Sequence, residues 1–206
     1  MHDTTTRPPS IGLARRHPAL TGAVAGFLWG VSMRTWMRFI STNPEFSWSG
    51  TLFILGAATI VGTVLGFAWH RRQQGGAGYW RLSLGSLLLL GAGGAVMWPA
   101  VVLGAIAIGR KRPSWLRLLA ASGALAATVP VLVGVADNWR FGAGDIVLAS
   151  VWYLPMLTLE AWAFSVTFAP NTAGADTPPA ARRVLIGAGV AVLALAAVML
   201  GGIPMG

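Results

Sequence analysis

The sequence predicts an all-α bundle embedded in a membrane, and three observations carry that reading. Of 206 residues, 55% are hydrophobic and only 10% are charged, with a mean hydropathy of +0.65. Soluble domains carry roughly 25% charged residues. The apolar residues are gathered into long, nearly uncharged runs, each about long enough to cross a bilayer. The runs are continuous, whereas barrel strands would alternate. In lipid a continuous span satisfies its backbone N–H and C=O groups within itself only as a helix.

Residues 1–17 form a polar N-terminal tail with Pro8 and Pro9, and 18–206 form a single transmembrane helical domain. Arg15, Arg16 and His17 precede the first apolar run. That run is long and no A-x-A site closes it, so an uncleaved signal anchor is predicted rather than a cleaved leader. Span 1 covers about 19–40, with Gly22, Gly26 and Gly30 on one face, a spacing that permits close helix approach. Residues 41–47 turn the chain. Asn43 is placed to cap the next helix, Pro44 suits its first position, and Glu45 sits where the helix dipole favours an anion. Span 2 covers about 48–69, with Ala58, Gly62 and Gly66 at the same small-residue spacing. A basic, glycine-rich loop, 70–81, follows.

Residues 82–109 are uncharged but interrupted by Gly91, Gly93, Gly94 and Pro99. The basic loop 110–117 leads to span 4, about 116–136, with Pro130 inside it. The loop 137–145 carries Asp137, Arg140 and Asp145. Span 5, about 146–169, contains Pro155 and Glu160. A Pro-rich linker, 170–183, precedes span 6 at about 184–203.

The basic residues weigh the topology. If 82–109 crosses once, there are six spans, and seven Lys and Arg residues lie on one side against eight on the other. If 82–109 dips in and returns, five spans cross and the count becomes twelve against three, with Arg34, Arg38 and Arg140 outside. The positive-inside rule favours the second arrangement, with a cytoplasmic N-terminus in the plasma membrane. Two full crossings need roughly 40 residues, and this stretch has 28. The expectation is therefore six membrane-embedded segments, five full spans plus a broken, re-entrant 82–109, with six full spans as the alternative.

Composition also removes function classes. Without cysteine there is no disulfide, thiolate nucleophile or Cys-type metal site. His2, His17 and His70 are scattered outside the spans, so no cofactor is expected. The net charge of +9 comes from 14 Arg and one Lys against six acids. It resides in short loops, where it sets topology, and nucleic-acid binding is not expected. Lys111, in a loop, is the single lysine, which excludes a retinal Schiff base within a span. No phosphate-binding G-x-x-x-x-G-K-[ST], zinc-binding H-E-x-x-H, nucleophile-elbow G-x-S-x-G or D-D-x-x-D pattern is present.

What remains are charges in apolar surroundings. Arg34 and Arg38, four apart, share a face of helix 1. Such charges are costly in a bilayer and face a partner, a cavity or the headgroups. Glu160, well inside span 5, is expected to be neutral or paired, because its charged form loses its hydration there. Thr158 or a carbonyl on another helix would serve as partner. In the hairpin arrangement Arg34 and Glu160 lie at different depths. Arg34 and Arg38 then share their side with Glu45 and Asp137, giving an outward-facing cluster. The tryptophans at 48, 69, 80, 115 and 139 read as an aromatic belt at the span ends.

The stretch WMRFISTNPEFSWSGT, residues 36–51, resembles a segment recurring in uncharacterised multi-pass membrane proteins of actinobacteria. The resemblance implies a membrane location and carries no activity. The function expected from these residues is non-enzymatic: a small transporter, or an accessory subunit of a membrane complex, with Arg34, Arg38, Glu45, Asp137 and Glu160 as candidate binding residues. The alternative is an enzyme or binder acting on anionic lipid headgroups, which the two guanidinium forks would grip. Expected partners are the bilayer, anionic lipid, other membrane subunits, or a second copy through Gly22, Gly26 and Gly30.

Overall fold

A computed structural model describes residues 17–42, 47–94, 97–109, 112–137 and 141–168, with backbone alone over 87–94. Six α-helices make up nearly all of it: α1 (Pro18–Ile40), α2 (Trp48–Gln73), α3 (Tyr79–Gly94), α4 (Trp98–Ile108), α5 (Ser114–Ala136) and α6 (Ala143–Phe168). Span 6 of the sequence reading, with Arg182 and Arg183, lies outside the described residues, as do Glu45, Trp139 and Arg140. Among the described helices, α2, α5 and α6 are long and apolar enough to cross a membrane, which fits a membrane protein. Large apolar side chains point outward along them, including Leu52, Phe53 and Ile60 on α2, Leu118, Leu119 and Leu125 on α5, and Val147 and Val151 on α6. In water these surfaces would be liabilities; against lipid chains they are ordinary contacts.

Helix α2 starts one turn later than Asn43 predicts. Ser47 is its N-cap, with Oγ accepting from the Gly50 N–H at 3.2 Å. Asn43 and Pro44 themselves lie outside the described residues. At the other end of α2, Gly75 and Gly78 adopt φ of 76° and 82°. This left-handed backbone suits glycine and turns the chain tightly into α3. Pro130 and Pro155 lie inside α5 and α6 without ending them.

Antiparallel α1 and α2 meet backbone to backbone. A Cβ at Gly22 would land on the carbonyl oxygen of Gly62, one at Gly26 on that of Ala58, and one at Gly66 on that of Pro18. The glycine face of α1 is thus filled by α2 of the same chain, where the sequence reading had considered a second copy. Close approach of this kind maximises dispersion contact where lipid supplies no hydrophobic drive.

Helix α6 is the most buried element, and three lines of residues along it receive the other helices. At one end of the bundle, Thr167 Oγ1 donates to Ser83 Oγ of α3 at 2.8 Å. Gly109, just past α4, sits close enough to Phe168 that an added Cβ would lie 3.7 Å from it. The start of α3 and the finish of α4 therefore share the end of the bundle where α6 terminates. Eleven residues inward from those hydroxyls, Gly94 of α3 comes level with Met156. Gly104 lies against Ala161 in the parallel pair α4–α6, so Trp98 comes level with Pro155. The interruption falls after Gly94, as the glycine cluster predicted, and Pro99 occupies the first turn of α4. Helix α5 then runs antiparallel to α4, with Arg117 Nε on the Ala107 carbonyl at 3.0 Å.

The α1–α2 seam generates the first prediction. Gly62→Val forces a branched side chain into backbone and lowers stability by at least the ~1–3 kcal/mol of ordinary overpacking. Gly56→Ala, where nothing lies within 4 Å, stays within about 0.5 kcal/mol of wild type. Thermal unfolding of both variants in one detergent checks the contrast.

Candidate functional site

The interior of the bundle is organised by polar atoms of α6. Three indoles donate to its main chain at seven-residue intervals. Trp36 Nε1 reaches the Ala149 carbonyl at 3.0 Å, Trp29 Nε1 the Met156 carbonyl at 3.4 Å, and Trp69 Nε1 the Ala163 carbonyl at 3.0 Å. Residues seven apart stay nearly in line on an α-helix, so α1 and α2 dock along one stripe. Each carbonyl has a second lone pair for this purpose. A fourth indole works in reverse: Trp152 Nε1 donates to Ser32 Oγ at 2.9 Å, and Ser32 Oγ donates to Met156 Sδ at 3.4 Å.

Trp69 was read as part of an interfacial belt. It instead bonds inward and stacks on Trp162 with ring centroids 5.1 Å apart. Trp48, Trp80 and Trp115 are exposed near helix ends, as a belt requires.

A second stripe of α6 runs through Tyr153, Glu160 and Thr167, again seven apart. Thr167 at one end of it touches α3 through Ser83, and Tyr153 at the other faces Trp36 of α1. Glu160 is 6% exposed and Tyr153 is fully buried. Among the described residues, neither carboxyl oxygen of Glu160 and no partner atom at the Tyr153 hydroxyl makes a hydrogen bond. Thr158, offered above as a partner for Glu160, is exposed and donates to the Leu154 carbonyl at 2.8 Å. The Tyr153 ring is stacked on Trp36 with centroids 5.1 Å apart.

Two unpartnered polar side chains in one dry interior cost several kcal/mol, an outlay that packing alone does not explain. Side chains on a helix lean toward its N-terminus. Glu160 is therefore directed toward the level of Met156, where α3 ends and α4 begins.

The arginines occupy the opposite end of the bundle. Arg34 Nε donates to Thr51 Oγ1 at 3.0 Å, in the first turn of α2. Thr51 Oγ1 itself donates to the Ser47 carbonyl at 2.8 Å. Arg38 follows in the last turn of α1. Asp137 is exposed and closes α5, its N–H on the Val133 carbonyl at 2.8 Å. These residues share one end, with Phe39 of α1 stacked on Phe141 just before α6. Glu160 is not among them. By the Trp36–Ala149 and Trp152–Ser32 bonds, Arg34 stands near the level of Val151, about 13 Å along the axis from Glu160 at the helical rise.

Sequence reasoning singled out Glu160 and passed over Tyr153 as a partner in its environment. The available signal was the spacing 153, 160, 167, which gathers a phenol, a carboxyl and a hydroxyl on one line. Among the described residues no three His, Cys, Asp or Glu side chains come together as a metal cluster.

No protein-family model, no curated protein and no solved structure matches this chain, so the resemblance of residues 36–51 receives neither support nor opposition from them.

The indole stripe yields a direct test. Trp36→Phe keeps a ring against Tyr153 and removes the N–H to Ala149, and it is expected to lower unfolding free energy by about 1 kcal/mol. Chemical unfolding in mixed micelles, followed by far-UV circular dichroism, measures the change.

Proposed function

We propose that this chain is a small multi-pass transporter of the plasma membrane, in which Glu160 takes up and releases a cation, a proton in the simplest case. The observation that carries the reading is the buried, unpartnered carboxyl of Glu160, with an equally unpartnered phenol, Tyr153, two turns earlier on the same helix. An intramembrane acid without a structural partner is the group expected on an ion path. A discontinuous helix pair at that depth is how transporters bring backbone dipoles to a binding site.

In this proposal α1, α2, α5 and α6 cross the bilayer, and α3 with α4 re-enters from the cytoplasmic side. The lengths support it. At 16 and 11 residues, α3 and α4 reach about 24 and 16 Å, short of a hydrocarbon core of about 30 Å. The basic residues Arg71, Arg72, Arg81 and Arg117 gather at the end shared by α3 and α4, which agrees with a cytoplasmic assignment of that end. The N-terminus of α1 lies there too.

Two measurements test the proposal. The chain has no native cysteine, so Gly75→Cys and Ser114→Cys report topology directly. Both are expected to react with an impermeant maleimide from the cytoplasmic face of inverted vesicles. Labelling from opposite faces would sink the re-entrant arrangement. In liposomes bearing an imposed pH gradient and an internal pH dye, wild type is expected to speed proton movement. Glu160→Gln, which keeps the shape and removes the exchangeable proton, is expected to fall to the rate of protein-free vesicles while remaining folded. Equal rates for wild type and Glu160→Gln would end the transport reading.

A further inference from the structure

We propose that the end of the bundle where α2 closes and α3 opens is a binding surface for anionic phospholipid headgroups, with the guanidiniums of Arg71, Arg81, Arg112 and Arg117 as its donors. The inference uses the membrane location of the chain and not the role of Glu160.

Four helix ends bring these residues to one side. Arg71 lies in the last turn of α2 and Arg81 in the first turn of α3. The chain between them is folded back tightly: the Gly76 N–H donates to the Arg71 carbonyl at 2.9 Å, and the Arg81 N–H to the Gly78 carbonyl at 3.1 Å. Arg112 precedes α5, and Arg117 lies in the first turn of α5, joined to the finish of α4 by its bond to the Ala107 carbonyl. The start of α3 and the finish of α4 share this end through Ser83–Thr167 and Gly109–Phe168. All four arginines are exposed.

Charge on the described residues of this end has one sign. The described acids lie elsewhere, Asp137 and Asp145 at the opposite end and Glu160 inside. The arginines are held by neutral groups instead. Arg71 lies over the Phe67 ring at 5.5 Å and Arg81 over the Trp80 ring at 5.3 Å, while Arg117 donates Nε to a carbonyl. Stacking engages the face of a guanidinium and leaves its in-plane N–H groups to an oxyanion. Paired N–H groups of one fork match two oxygens of a phosphate.

The rings decide the partner. Phe67 and Trp80 are themselves exposed, as is Trp115 in the same turn as Arg117. Leu82 and Leu84 on α3 and Leu118 and Leu119 on α5 follow them outward. Cation, ring and aliphatic chain thus succeed one another along both helices, which is the order of headgroup, interface and acyl chain in a leaflet. An RNA or an acidic protein would meet the charges and leave the rings and leucines bare; an anionic lipid covers all three. A bias of positive charge that only orients the chain is served equally by lysine, and it does not explain forks laid on rings.

The test therefore sets arginine against lysine. The full chain is placed in nanodiscs of equimolar phosphatidylcholine and phosphatidylglycerol, and native mass spectrometry counts the lipids that it retains by headgroup. Wild type is expected to retain phosphatidylglycerol in preference. Arg71→Lys with Arg81→Lys keeps the charge and should lose most of that preference, at an unchanged melting temperature. Replacing Arg112 or Arg117 by Gln is expected to weaken retention about fivefold per arginine. Wild type that retains the two lipids in the proportion supplied overturns the proposal. So does a double lysine variant with the wild-type preference, which would reduce these arginines to orienting charges. A wild-type preparation that carries nucleic acid or an acidic protein, and shows no preference between the lipids, gives this end to that partner and overturns the lipid surface too.

Discussion

Everything in this bundle answers to one constraint: a polar group withdrawn from water must find its partner inside the protein. Helix α6 bears most of it. Its carbonyls at Ala149, Met156 and Ala163 receive indoles from α1 and α2, and its hydroxyl at Thr167 meets Ser83 of α3. These bonds also fix position. A donor that would be orphaned by sliding half a turn holds its helix in register more firmly than apolar contact does, because apolar contact in lipid is nearly as good a few ångströms away. The unmet groups, Glu160 and Tyr153, are conspicuous for lying between stripes so fully matched.

Much of the helical layout was legible in the sequence because charge and length are read without knowledge of neighbours. The runs 48–69 and 146–169 became α2 and α6, each extended by a few residues. The glycines at 91, 93 and 94 forecast an interruption, and the uneven distribution of Arg favoured a segment that returns to its own side. The Ser83–Thr167 and Gly109–Phe168 proximities bring the start of α3 and the finish of α4 to one end of the bundle.

What escaped the sequence depends on neighbours. A tryptophan near a span end reads the same whether it anchors at an interface, as Trp48 does, or bonds inward, as Trp69 does. Arg34 was matched with acids because opposite charge is the obvious partner. The N-terminal turn of α2 supplies Thr51 as one partner, at a distance no sequence spacing encodes. Glu160 could be flagged from its depth, yet its isolation became visible only when Thr158 proved to be turned outward and committed to Leu154.

The glycine seam between α1 and α2 sets how the molecule can move. Side chains let helices shear by switching rotamers, and a seam made of main chain has none to switch. With carbonyl oxygens of one helix against the Cα atoms of the other, α1 and α2 behave as a single rigid plate. Helices α3 and α4 are held differently: α3 packs chiefly on α2 and also on α6, whereas α4 packs on α5 and α6, and the two barely touch each other. In mechanical language the plate carries α3 with it, and α4 belongs to a second body with α5 and α6. The interrupted segment thus straddles the boundary between the two, and any relative displacement of the bodies falls between α3 and α4.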